Sequence, residues 1–189
     1  AQRHPNRHAP IKFPSTRAFM EPVLKVGVAG LGTVGASVLR LLERRRDELK
    51  SACGRSIEVV AVCARDRTRD RGVDLSRAVW YEDPVALARD ADIDVFVELM
   101  GGDDDPADAA VRAALNGKRA VVTANKALLA RHGTELARLA EANAVSLSFE
   151  AAVAGGIPVV KTMREALLAN RIDRVYGILN GTCNYILTR

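Results

Sequence analysis

The feature that most constrains this chain is a glycine cluster, Gly30-Leu31-Gly32-Thr33-Val34-Gly35, lodged between an apolar run, VLKVGVA (23–29), and a segment of helical periodicity. Glycines at this spacing carry meaning only at a strand-to-helix turn. There Gly30 permits the tight turn, Gly32 lets the main chain approach an anion, and Gly35 lets the helix press on the strand. The N–H groups of the first helical turn then face a phosphate. The cluster predicts a βαβ unit and points to a bound dinucleotide, although the same glycines would also serve a turn kept for packing alone.

The alternation continues along the chain. Further strands are predicted at IEVVAVCA (57–64), AVWY (78–81), DVFVEL (94–99), RAVVT (119–123) and SLSFE (146–150). One helix starts at Thr33 and sets Val34, Val38, Leu41 and Leu42 inward, leaving ERRRDELK to solvent. A second begins at Pro106, with Asp105 as N-cap, and stops at Asn116-Gly117; a third covers roughly 133–143, with Leu136, Leu139 and Ala140 inward. Apolar strands flanked by helices predict an α/β, Rossmann-like doubly wound parallel sheet over 23–150, with both faces covered. Residues 1–22 hold four of the seven prolines and lack apolar periodicity, so they are expected to form a flexible leader rather than a targeting segment. After Glu150 the texture changes to AAVAGGIPVV, a helix over 158–170, a strand-like RVYGILN, and GTCNYILTR. That stretch, 151–189, is expected to begin a second, α+β substrate domain, truncated as in a fragment of a longer protein.

Charge and composition exclude several functions. The net charge of +5 suggests a nucleic-acid binder, but +3 of it lies in residues 1–22, and 4% aromatic residues are too few to stack bases. No run of about 18 uncharged apolar residues spans a membrane. The three cysteines, Cys53, Cys63 and Cys183, form no C-x-x-C pair, which disfavours both a disulfide framework and a zinc site; a reducing cytosol is the expected compartment.

Chemistry-bearing residues gather at predicted strand ends, where open α/β sheets bind ligands. The second strand ends at Cys63-Ala64-Arg65-Asp66: an acid would bond the ribose 2′-OH of NAD, and an arginine would accept the 2′-phosphate of NADP. The order favours NADP(H), with NAD(H) possible through Asp66. The fourth strand ends at Glu98-Leu99-Met100-Gly101-Gly102, whose glycines allow close main-chain approach, and the fifth at Thr123-Ala124-Asn125-Lys126, bringing an amine to the same edge. Cys183 resembles a thiol nucleophile, but it lacks a base: His132, the only histidine after residue 22, reads as an isolated surface residue at a helix break.

In this order, GLGTVG, ARDR, ELMGG, TANKALLA, EAAVAGGIP and NGTCNYIL closely resemble the homoserine dehydrogenases over residues 23–189. The resemblance implies NAD(P)H-dependent reduction of L-aspartate 4-semialdehyde to L-homoserine, on the way to threonine, methionine and isoleucine, by a cytoplasmic homodimer. By the same likeness Gly30, Gly32, Thr33, Val34, Gly35, Arg65, Met100, Gly101 and Lys126 would meet the cofactor, with Lys126 also catalytic. Glu150, Val153, Gly155 and Ile157 match a sodium site dominated by main-chain carbonyls, and Gly181 and Thr182 would belong to the substrate pocket. The family's acidic substrate-binding residues and a further lysine lie beyond Arg189, so the fragment alone is expected to be inactive. Alternatives are a non-catalytic NADP-binding module and another amino-acid-linked reductase. No nucleic-acid or membrane partner is expected.

Overall fold

Five β-branched runs and one two-residue strand pair side by side, all parallel. The computed structural model describes residues 23–177 apart from 103 and 156. The strands are β1 (Leu24–Ala29), β2 (Ile57–Cys63), β3 (Val79–Tyr81), β4 (Val95–Glu98), β5 (Ala120–Thr123) and β6 (Leu147–Ser148), in the order β3-β2-β1-β4-β5-β6. Every pairing is parallel. The chain runs outward from β1 to β3, then crosses to β4 and runs outward the other way. The crevice beyond the carboxyl ends of β1 and β4 is therefore the switch point where such sheets bind ligands.

Helices α1 (Thr33–Arg44), α2 (Arg46–Cys53), α3 (Pro84–Asp90), α4 (Ala107–Asn116) and α5 (Lys126–Ala142) connect the strands. They cover the two faces unequally. On one face Phe96, Val121, Ala61 and Leu147 pack with Leu87 of α3, Val111 and Leu115 of α4, and Leu128 and Leu136 of α5. On the other, Val26, Val28 and Val62 meet Leu39 of α1 and the loop residues Val73 and Leu75. There the strand residue Val122 is 38% exposed.

Several helices depart from the sequence expectation. In α1 the buried face is Gly35, Ala36 and Leu39, while Val34 and Leu41, expected inward, are 56% and 43% exposed. Gly35 causes this: a Cβ there would run into the carbonyl oxygen of Gly30, so the helix is rotated to press its glycine on the turn. Helix α3 was not foreseen; Asp83 caps it by accepting from the N–H groups of Val85 and Ala86 (3.0 and 3.1 Å), with Pro84 at the first helical position. Helix α4 starts one residue late, because Pro106 occupies the N-cap position and Asp105 accepts instead from Ala109 N (3.2 Å).

Helix α5 starts seven residues before the expected 133. Asn125 caps it, the break expected at His132 is absent, and Gly133 is carried inside the helix at a propensity cost of about 1 kcal/mol. His132 is therefore a half-buried mid-helix residue rather than a surface one, and its Nε2 has no hydrogen-bond partner among the described residues. The helix expected over 158–170 is shorter: one α-helical turn, α6 (Val159–Lys161), followed by a π turn, Thr162–Ala166. Residues 171–177 form no strand, and 178–180 of RVYGILN, with Gly181, Thr182 and Cys183, lie outside the described residues. Among the described residues no helix is long and apolar enough to cross a membrane.

Candidate cofactor cleft

The glycine loop is built as its spacing requires. Gly30 has φ of +100°, and a Cβ on it would strike the carbonyl oxygen of Leu99 on the neighbouring strand end. The end of β1 is tied to both its neighbours, to β2 by Gly30 N donating to Cys63 O (2.9 Å) and to β4 by Leu99 N donating to Ala29 O (2.8 Å). Gly32 is different: a Cβ there would meet nothing within 4 Å. It forms the N-cap of α1, no side chain caps that helix, and Thr33 and Val34 are exposed on its first turn. An uncapped helix N-terminus with open space above a glycine suits a pyrophosphate, whose charge the helix dipole and free N–H groups favour.

Beyond β2, Arg65 is exposed and Asp66 folds back on its own loop. The Asp66 carboxylate accepts from the Thr68 hydroxyl (2.7 Å) and main-chain N–H (2.8 Å), and these bonds, the hydroxyl foremost, hold it below the usual carboxylate range. Arg71, which the sequence analysis did not single out, organises this loop. Its guanidinium donates to the carbonyl oxygens of Leu31 (3.1 Å), Arg69 (2.7 Å) and Asp66 (2.5 Å). Arg67 and Arg71 both lie over the Trp80 ring, 5.9 and 5.6 Å from its centroid. Arg71 was hidden in an arginine-rich run that reads as solvated charge.

The turns after β4 and β5 face each other, since Glu98 and Thr123 are register partners. Met100 is half-buried, and Gly101 and Gly102 are exposed with φ of +78° and +87°, a conformation that favours glycine. Lys126, exposed, is the first residue of α5. Beneath these rims lie Glu98, Thr123 and Asn125, the buried polar residues of the described chain. They too escaped the sequence reading as site residues, although an acid ending an otherwise apolar strand was the available signal. Cys63 sits at the end of β2, its thiol pushed up to about 11, by burial first and then by Asp83 and Glu82, so it is not a nucleophile at neutral pH.

Past β6, Glu150 opens a 3-10 turn (Glu150–Ala152) and its carboxylate accepts from Val160 N (3.1 Å) and Lys161 N (2.9 Å) at the head of α6. The carbonyl oxygens of Gly155 and Ile157 accept from Ile157 N and Val159 N, both at 2.8 Å. Each of these oxygens keeps a second lone pair. Among the described residues no three His, Cys, Asp or Glu side chains gather to hold a metal. The donors here, one carboxylate and main-chain carbonyls, are hard oxygens that fit an alkali cation and not a transition metal.

Residues 30–150 match the family model for the homoserine dehydrogenase NAD binding domain, and 158–189 match that for homoserine dehydrogenase itself. The homoserine dehydrogenase of Neisseria gonorrhoeae is 45% identical over 169 residues, and that of Pseudomonas aeruginosa 47% over 169; each alignment takes in 89% of this chain and 38% of the relative. The crystal structure of a homoserine dehydrogenase from Thiobacillus denitrificans superposes with a TM-score of 0.79 at 42% identity, covering 88% of this chain and 38% of that one. A putative homoserine dehydrogenase from Archaeoglobus fulgidus gives 0.72 at 34% identity, covering 87% and 53%. The chain thus spans about 38% of the length of the curated relatives it matches. With a glycine loop, a switch-point crevice and two family matches that together take in most of its length, the chain belongs to the homoserine dehydrogenase family.

Proposed function

We propose that this chain forms the cofactor-binding part of an NADPH-dependent cytosolic enzyme that reduces L-aspartate 4-semialdehyde to L-homoserine, with NADH as the weaker cofactor. The observation that carries this reading is the open space over Gly32 at the uncapped head of α1, beside the strand ends that bear Gly101 and Lys126. Thr33 and Val34 border the pyrophosphate there, and Gly30 and Gly35 keep turn and helix close enough to form the cradle. The preference for NADPH rests on Asp66, whose carboxylate is engaged by Thr68, leaving Arg65 to meet a 2′-phosphate.

Bound NADPH supplies the hydride. Met100 and Gly101 would wall the nicotinamide side of the crevice, and the family resemblance alone assigns Gly181 and Thr182 to the substrate pocket. Lys126 offers an ammonium to the aldehyde oxygen as negative charge builds on it, stabilising the transition state more than the ground state and delivering the proton. Glu150, with the carbonyls of Val153, Gly155 and Ile157, would hold a sodium ion where the second domain, 151–189, begins. The assembled enzyme works as a homodimer.

Titration of the purified chain with NADPH and NADH, followed by nicotinamide fluorescence, tests the core of this reading. NADPH is expected to bind about tenfold more tightly, the worth of one charge-assisted hydrogen bond. Failure of both to bind at millimolar concentration would overturn it.

A further inference from the structure

Glu98 is wholly buried at the end of β4, and among the described residues four groups donate to its side chain. One oxygen accepts from Met100 N (2.8 Å), Gly101 N (3.2 Å) and, at 3.5 Å, the Asn125 side-chain amide. The other accepts from the Thr123 hydroxyl (2.6 Å), whose oxygen in turn accepts from Asn125 N (3.0 Å). Asn125 spends the rest of its side chain on the same two turns: its amide nitrogen donates to Gly102 O (2.5 Å), and its oxygen caps α5 at Leu128 N (3.1 Å). The carboxylate is thus the common acceptor for a turn that would wall the nicotinamide and for the turn that leads into Lys126.

A buried carboxyl group costs free energy unless its oxygens are hydrogen-bonded, so its presence here needs a reason in what it holds. Two strand ends joined only by β pairing could drift apart beyond the last ladder bond; here a single carboxylate bridges them past that point. We propose that Glu98 is a positioning residue that locks the Met100–Gly101 main chain and the head of α5 into one rigid unit, so that the nicotinamide wall and the Lys126 amine keep a fixed separation. This deepens the cofactor reading above and rests on it for its functional meaning, but the mechanical coupling stands apart from it.

The test joins amide hydrogen exchange with NADPH titration of wild-type, Glu98→Ala, Glu98→Gln and Thr123→Val chains, with Phe96→Leu on the same strand as a control for lost core packing. Glu98→Ala is expected to speed exchange at Met100, Gly101 and Leu128 together by about tenfold or more and to weaken NADPH binding about tenfold. Glu98→Gln keeps an acceptor oxygen for Met100 and Gly101, and the Thr123 hydroxyl can turn to accept from its amide, so it should recover most of both. Thr123→Val cuts the bridge from the other side and should speed exchange at Met100 as well, which keeps the test available if Glu98→Ala does not fold. Phe96→Leu should change neither selectively. Exchange that rises at Met100 while Leu128 stays protected, or equal effects of Glu98→Ala and Phe96→Leu, would overturn the proposal. Absence of NADPH binding by the wild type would instead sink the cofactor reading, with the exchange data still deciding the coupling.

Discussion

Arg71 Nε donates to the carbonyl oxygen of Leu31 at 3.1 Å, joining the loop after β2 to the middle of the glycine cluster. Since the same guanidinium also holds Arg69 O and Asp66 O, one side chain sets the distance between the glycine loop and the loop after β2. Arg71→Ala should weaken NADPH binding about tenfold, and Arg71→Lys should do nearly as much harm, because an ammonium does not reproduce a planar fork. Fluorescence titration checks this; an Arg71→Lys chain with wild-type affinity would contradict it.

Arg65 and Asp66 should separate the two cofactors. Arg65→Ala is expected to shrink the NADPH/NADH affinity ratio about tenfold, whereas Asp66→Asn, acting on a carboxylate already turned toward Thr68, should leave the ratio within about twofold. The measurement is a pair of dissociation constants for each variant.

Lys126→Met, assayed in a chain that carries the full catalytic domain, should leave NADPH affinity within a few fold and lower kcat by about 10²–10⁴, the range for loss of a general acid. Single-turnover loss of NADPH absorbance isolates the hydride step. A near-normal rate at saturating substrate would return Lys126 to an ordinary solvated residue at the head of α5.

Cys63 predicts an alkaline limb in the stability profile. Its thiol rises from 9.0 to about 11 on folding, so the neutral form is favoured in the native state. Its contribution is complete below 9.0 and is lost as pH climbs through about 11. Urea midpoints at stepped pH should fall across that window, and Cys63→Ala should flatten this part of the fall. In a chain with Cys183→Ser, a thiol reagent at pH 8 should label exposed Cys53 and spare Cys63.

Sodium binding is read most directly by stability. The melting temperature should be higher in sodium chloride than in choline chloride at equal ionic strength, by mass action on the folded state. Glu150→Ala should abolish the difference. Equal melting temperatures for the wild type in the two salts would remove the ion from Glu150.

Much of this was legible because period and punctuation agree. The runs that became β1, β2 and β4 are rich in valine, and glycine follows β1 directly, so the strands and the carboxyl edge that bears the candidate residues could be drawn from the sequence, whereas the switch point between β1 and β4 needed the strand order. The orientation of α1 could not be drawn from the sequence. Its apolar period favours Val34 and Leu41, and only the contact of Gly35 with the Gly30 carbonyl decides against them. The start of α5 was missed in the opposite direction: the break expected at His132 is absent, because Asn125 caps the helix and the single Gly133 lowers its stability without ending it. Arg71 stayed hidden because it acts through main-chain carbonyls, which no side-chain spacing reveals, and Glu98 because its partners across the sheet edge, the Thr123 hydroxyl and the Asn125 amide, are brought to it only by the pairing of β4 and β5.

Trp80 is the sole tryptophan in the chain, and it lies beneath two guanidinium groups of the loop after β2. Indole emission is sensitive to nearby charge, so any ligand that draws Arg67 or Arg71 away changes it. On the cofactor reading proposed above, this indole is an intrinsic optical gauge beside the loop after β2, and binding of oxidised NADP, which has no useful fluorescence of its own, should be visible through it without a label.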